Sequence, residues 1–330
     1  MAGEKLCRKK SNVMNYKNLL KAGLLIFSMA FIISCSKDED DNMDTTAETY
    51  NTSVEVTDAP IDNANVEGVF VTITNVKING KALEGFQTTT VDLLAYQNGE
   101  TFPLGNVDLE SGTTSSIVVE VDNDMDDQGA AMGNYIKTTA GEKIAFVVES
   151  GEIALTDAAE VAASADNNIV LDFDLRKMIG KDSEGKFQLV SGAELQGSIR
   201  AVNKMNAGTI DGNVEDTNNT AGTVVVYAYE KGTWADSEAN ENASGVRFAN
   251  AVNSTVVSET TGDYSLHFLE EGDYELHYAS YSEDAMTGGM SFQGMVQVEA
   301  ATGLNLDILG FSVGANSTTT ANVVVTGVVQ

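Results

Sequence analysis

The chain has 330 residues, with 49 Asp and Glu against 19 Lys and Arg, a formal net charge of −30, two His, one Trp and two Cys. A surface of that sign repels phosphate backbones, which excludes nucleic acid as a partner, and so few His and Cys leave no material for a disulfide scaffold or a His-rich metal centre. The hydrophobic content of 42%, much of it valine in short alternating runs, is still enough to build ordinary cores.

The first element is an address. Lys17 and Lys21 precede an apolar run over 22–34, which is too short to cross a bilayer as a helix and reads as the core of a secretory signal. Met14 gives that signal a more ordinary length than Met1 and is a possible true start. The run closes on Ile32-Ile33-Ser34-Cys35, with an aliphatic residue three before the cysteine and a small residue just before it. This pattern resembles the lipobox of bacterial lipoproteins. The resemblance implies cleavage of 1–34, diacylglycerol on Cys35 and a fatty acyl group such as palmitate on the new N-terminus, anchoring the chain to a membrane. Six basic residues and one acidic residue precede Cys35, so the part after it is left with 13 basic against 48 acidic residues. Residues 35–49, beginning Cys35-Ser36-Lys37-Asp38-Glu39-Asp40-Asp41, are too charged to collapse and read as a disordered tether. An acidic run next to the lipidated cysteine resembles the export signal of Bacteroidetes lipoproteins, which implies an outer-membrane location facing the cell exterior.

From Tyr50 the hydrophobic period is two, as in half-buried strands. Val54 and Val56, then Val69, Val71 and Ile73, then 117–121, 144–148 and 169–173 are the strands of a first domain over 50–206. One helical turn is expected at Leu175-Arg176-Lys177-Met178-Ile179, stopped by Gly180, with Asp172 and Asp174 on the solvent face of the preceding strand and one of them free to cap the turn. Thr57-Asp58-Ala59-Pro60, the strand over 69–78, Val91-Asp92-Leu93-Leu94, Leu171-Asp172-Phe173-Asp174 and Ile199-Arg200-Ala201-Val202 occur in the order typical of a lipoprotein domain of unknown function numbered 4382. The resemblance covers about 51–205 and carries no settled activity.

A boundary near Lys204-Met205-Asn206 opens a second β series, 207–330, with strands at 210–214, 223–229, 255–258, 264–269, 274–278, 292–298 and 322–329. Its centre holds a near repeat, Gly262-Asp-Tyr-Ser-Leu-His-Phe-Leu269 and Gly272-Asp-Tyr-Glu-Leu-His-Tyr-Ala279. The repeat reads as an antiparallel hairpin turning at 270–273, with Tyr264, Leu266, Phe268, Tyr274, Leu276 and Tyr278 on one buried side. The two Gly-Asp-Tyr segments resemble the carboxypeptidase regulatory-like, transthyretin-like domain, a sandwich also grouped with starch-binding-like domains. The fold class expected is all-β: two tandem antiparallel sandwiches behind a cleaved signal and an acidic tether.

Candidate chemistry is sparse. His267 and His277 take equivalent places in the repeat, where they read as exposed strand residues or, with carboxylates from elsewhere, as part of a metal site. Asp122, Asp124 and Asp126 alternate like the start of a calcium loop but lack its turn glycine and final bidentate acid, so they are either a calcium site or a solvated acidic loop. Trp234, the sole tryptophan, follows Tyr227 and Tyr229 and opens a polar loop; either it folds back on its own sandwich or, with Tyr229, it stacks on a ligand such as a sugar ring. No nucleophile elbow is present, and no cofactor is expected beyond that calcium. The sequence is thus read as a non-enzymatic surface lipoprotein that binds or adheres, with carbohydrate as the leading ligand class. The alternative is a structural accessory or spacer subunit of an outer-membrane surface complex, in which the apolar C-terminal run 322–330 donates an edge strand to another envelope protein.

Overall fold

The computed structural model describes residues 47–59, 65–164, 166–283, 290–301 and 310–330. The lipobox cysteine Cys35, the signal, most of the tether and Pro60 lie outside the described residues. Residues Ala47–Gln330 form one compact unit built almost wholly of strands.

The first half stacks two sheets. One has the order Ile199–Asn203, Asn167–Asp174, Thr49–Ala59, Phe102–Glu110; the other runs Glu152–Ala154, Ile117–Val121, Val66–Ile78, Tyr135–Thr138, Lys143–Ala145. Alternation works as read: in Ile117–Val121 every second residue is buried, and Val54, Val56, Val69, Val71, Ile73, Ile169, Leu171 and Phe173 all enter one core between the sheets. Each such side chain, wholly removed from water, is worth about 1.5–3 kcal/mol of burial. The first of these sheets is mixed and not purely antiparallel, because Thr49–Ala59 runs parallel to Asn167–Asp174, with Val54 opposite Ile169 and Val56 opposite Leu171, whereas the pairs of the second are antiparallel. A parallel neighbour requires a crossover connection, and the intervening second sheet supplies it. The helical turn is Leu175–Met178, and Asp174 caps it by accepting the Lys177 N–H at 3.2 Å.

The turn Lys204–Asn206 leads from the last strand of that half into Ala207–Glu215, the first of the second. Here one sheet curls into a sandwich, in the order Asn253–Val256, Thr223–Glu230, Gly272–Glu283, Met290–Ala300, Val323–Val329, Ala207–Glu215, Asp263–Glu270. Two short strands that the hydrophobic pattern does not show, Gly310–Val313 and Thr318–Thr320, pair at its margins.

The repeat is not a hairpin. Asp263–Glu270 pairs with Ala207–Glu215, whereas Gly272–Glu283 pairs with Thr223–Glu230 and Met290–Ala300, so three strands separate the two copies in the sheet. The chain at Glu271 instead crosses the sandwich, and the aromatic faces meet across the core: the Tyr264 and Tyr278 hydroxyls lie 3.0 Å apart, with their rings edge to face at 6.2 Å. A one-residue link between two long strands cannot let them lie side by side, because both inner faces are needed opposite each other to close the core. The repeat also breaks at Phe268. Its φ of +54° turns the backbone left-handed, so Leu269 takes the core position and Phe268 points outward. The C-terminal strand Val323–Val329 is paired with Met290–Ala300 along its length and runs parallel to Ala207–Glu215 at Val323 and Val324. On that second side the pairing covers only Val323 and Val324, so over 325–329 the strand is paired on one edge among the described residues.

Candidate functional site

The outer face of the sheet holding Asn167–Asp174 is covered by the second half, and this corrects the solvent-face reading of Asp172 and Asp174. Both are 3% exposed. Each holds an arginine that reaches across the junction. Asp174 Oδ2 accepts from Arg176 Nη2 at 2.7 Å, and Arg176 Nη1 donates to the carbonyls of Arg247 at 2.8 Å and Phe248 at 2.7 Å. Asp172 pairs with Arg200, whose Nη1 donates to the carbonyl of Phe268 at 3.2 Å. The strained residue Phe268 therefore presents its carbonyl to an arginine and its ring to Lys204, whose ammonium lies 5.5 Å from the ring centre and pairs with Glu55. Asp58 lies in the same layer, fully desolvated, which pushes its carboxyl well above the usual range; nearby Asp172 and Asp174 push it further. It accepts from Gln97 Nε2 at 3.0 Å and from the Leu175 N–H at 3.3 Å. Asp172 and Asp174, through Arg200 and Arg176, are thus structural joints between the halves, while Asp58 ties elements of the first half together.

The segment 231–252 is no free loop. It folds over the outer face of Thr223–Glu230 and Gly272–Glu283, where Tyr227, Tyr229, Phe248, Ala251, Ala279 and Tyr281 form a third apolar cluster. The strand Thr223–Glu230 is accordingly buried on both faces, which explains its unbroken apolar run. Trp234 is half-buried and stacks on His277 at 4.0 Å and 15°, with Tyr229 edge-on at 5.1 Å. Glu275 Oε1 fixes the approach by accepting the N–H groups of Gly232 and Trp234 at 3.1 and 3.0 Å. Tyr229 itself is fully buried and supports Trp234 from behind, so a ligand on the open side of the indole would touch Trp234 and miss Tyr229. At the inner edge of the same segment, Val246 leaves the second half and joins the first core.

The two histidines do not meet in a common site. His277 lies under Trp234, and burial drives its pKa down to about 4, with Glu275 opposing, so it is neutral at physiological pH. His267 faces the loop at Gly99, where a Cβ would lie 3.0 Å from its ring, and burial lowers its pKa too. In the acidic loop, Asp122 Oδ1 accepts the N–H groups of Asp124 and Met125, and Asp126 Oδ1 those of Gln128 and Ala130. Asp124 is exposed. Among the described residues, no group of three or more His, Cys, Asp and Glu side chains is placed to hold a metal ion. One oxygen each of Asp122 and Asp126 is thus engaged in a tight turn.

Sequence reasoning missed one feature altogether. Where the hairpin of Ile179–Lys181 and Phe187–Leu189 abuts residues 241–247, a cleft of about 360 Å³ opens between the halves. Its walls include Lys181, Phe187, Arg247, Ser291 and Phe292. The backbones approach closely: a Cβ on Gly180 would sit 2.5 Å from the Ser244 carbonyl oxygen. Lys181 and Phe292 lie more than a hundred positions apart, and their only signal was the scarcity of basic residues after Cys35.

Fold and junction together define the class: an all-β protein of two β-sandwiches, joined where buried, ion-paired arginines of the first donate to backbone carbonyls of the second. Within it, residues 51–191 match the family described as "Domain of unknown function (DUF4382)". No curated protein matches the chain. Among solved structures it is similar to a variant of BcpA, the major pilin subunit of Bacillus cereus, at 12% identity and a TM-score of 0.22, covering 84% of this chain and 70% of that one. It is similar to GBS52, the minor pilin of Streptococcus agalactiae, at 14% identity and a TM-score of 0.22, covering 84% and 97%. The Bacillus anthracis TIE protein gives 11% identity and a TM-score of 0.19; 84% of this chain is covered, and the chain spans about a third of that protein. Among the described residues no helix is long and apolar enough to cross a membrane.

Proposed function

We propose that the protein is a non-enzymatic cell-surface binding or adhesion module, tethered to the outer membrane through lipidated Cys35 and facing the exterior, with carbohydrate as its ligand class. On this reading the second sandwich is of the carboxypeptidase regulatory-like type. One observation carries the proposal: the conspicuous carboxylates take part in joints and turns, while the side chains left half-exposed around the junction include three aromatic ones, Trp234, Phe187 and Phe292. Flat rings at a water boundary suit the apolar face of a sugar. A glycan array probed with the detergent-solubilised full chain tests it, with Trp234→Ala as the paired variant. Retention on at least one glycan is expected, and an array without any bound glycan refutes it.

The rigid fusion of the halves favours a second reading, a spacer subunit of a surface complex. Co-purification of a stoichiometric envelope protein from detergent-extracted membranes supports that reading; a strictly monomeric species argues against it.

A further inference from the structure

After Cys35 the chain holds 13 basic residues against 48 acidic ones, so a place where cations gather needs a reason. The cleft between the halves is such a place. Lys181 is exposed on its wall and makes no ion pair among the described residues, and Arg247 lines the same cleft. The Arg247 guanidinium is held in a fixed pose: it lies 4.8 Å from the Phe292 ring centre, Nη1 donates to the Ala239 carbonyl at 2.6 Å, and Nη2 meets Glu241 Oε1 at 3.2 Å. Glu241 also lines the cleft and is exposed. Phe187 and Phe292, both half-buried, add apolar walls, and Ser291 adds a hydroxyl. A space of about 360 Å³ falls within the range of small-ligand sites, about 300–1,000 Å³.

We infer that this cleft binds a sugar residue bearing an anionic group, carboxylate or sulfate, with the ring against Phe187 or Phe292 and the anion between Lys181 and Arg247. The inference rests on the carbohydrate-binding reading and names the ligand within it. The remainder of the surface is strongly negative and repels polyanions, so any retention on one must come from a local site. A preorganised arginine with a mobile lysine beside it suits an oxyanion, and both contacts weaken with salt.

The test uses the full chain in detergent on three matrices: dextran, dextran sulfate and polygalacturonate. Retention on dextran sulfate or polygalacturonate but not on dextran is expected, identifying sulfate or carboxylate respectively, with release in 0.5 M NaCl. Lys181→Glu, at an exposed position, should weaken retention at least 10-fold with an unchanged melting temperature. Equal retention on dextran and dextran sulfate, or full retention by Lys181→Glu, overturns the inference. Retention on dextran alone, lost in Trp234→Ala, overturns the anionic site while the carbohydrate reading stands; no retention on any matrix together with an empty glycan array sinks both.

Discussion

The stack of Trp234 on His277 makes a sharp prediction about acid. The ring planes lie 4.0 Å apart at 15°, the imidazole Nε2 is buried without a hydrogen-bond partner among the described residues, and the closest carboxylate, Glu275, stands 4.0 Å away. Burial holds the folded-state pKa at about 4 against an ordinary 6.5. The folded protein thus binds this proton less readily than the unfolded chain does. The stability His277 contributes is fully present above pH 6.5 and is lost as pH falls towards 4, by about 3 kcal/mol at most. A cation–π contact with Trp234 would return about 0.5–2 kcal/mol of that in the protonated state. Because Trp234 is the sole tryptophan, its fluorescence reports this stack directly. Emission should change with a midpoint near pH 4, and His277→Phe, which keeps a flat ring under the indole but cannot titrate, should abolish the transition even though carboxylates titrate nearby. A midpoint near 6.5, or an unchanged transition in His277→Phe, would refute the reasoning.

Arg176→Ala leaves Asp174 buried beside two unanswered carbonyls and should cost about 3–5 kcal/mol in chemical denaturation, whereas replacing Asp174 and Arg176 together by leucine should cost clearly less. A cost for the single variant below 1 kcal/mol would show that the joint is not buried in solution. Calcium at 1 mM, or its removal with a chelator, should move the melting temperature by less than about 1 °C, because among the described residues no three acidic side chains are gathered there to hold it and Oδ1 of Asp122 and of Asp126 accepts backbone N–H groups; Asp126→Ala should cost about 1–2 kcal/mol with or without calcium. Gly212→Ala should destabilise by more than about 2 kcal/mol by denaturant titration, since its Cβ would lie 2.2 Å from the Ala321 carbonyl oxygen and 2.4 Å from the Tyr264 ring.

What could be read in the sequence was local. Period-two runs such as 117–121 placed the strands because one face of each meets a core, and a cap could be expected from Asp172 or Asp174 because a cap lies within four residues of its partner. Partners far along the chain leave no such mark. Asp172 and Asp174 alternate with Leu171 and Phe173 as solvent residues would, and only the arrival of residues 247–268 makes that face an interior one. The paired copies around Tyr264 and Tyr274 show the same limit: identical spacing fits a hairpin or a crossing, and the choice depends on the strands that fill the sheet between them. Trp234 was ambiguous for the same reason. Its loop looks polar in sequence, yet Phe248 and Ala251 anchor it to a sheet face whose apolar run, 223–230, was legible as a strand but not as one covered twice.

The capture of Val246 by the first core bears on how the chain comes to be folded at all. Strand Thr49–Ala59 emerges early, but its parallel neighbour Asn167–Asp174 follows more than a hundred residues later, and the core they share stays open until Val246 arrives from the second half. Long-range pairing of this kind is slow to form. The chain must therefore be kept from sticking to its neighbours while most of it is still missing, and a tract of like charges ahead of the first strand, together with the acids scattered through both halves, gives it the mutual repulsion to wait. The acidity that keeps nucleic acid away from the finished protein would, in the unfinished one, keep copies of the chain away from each other.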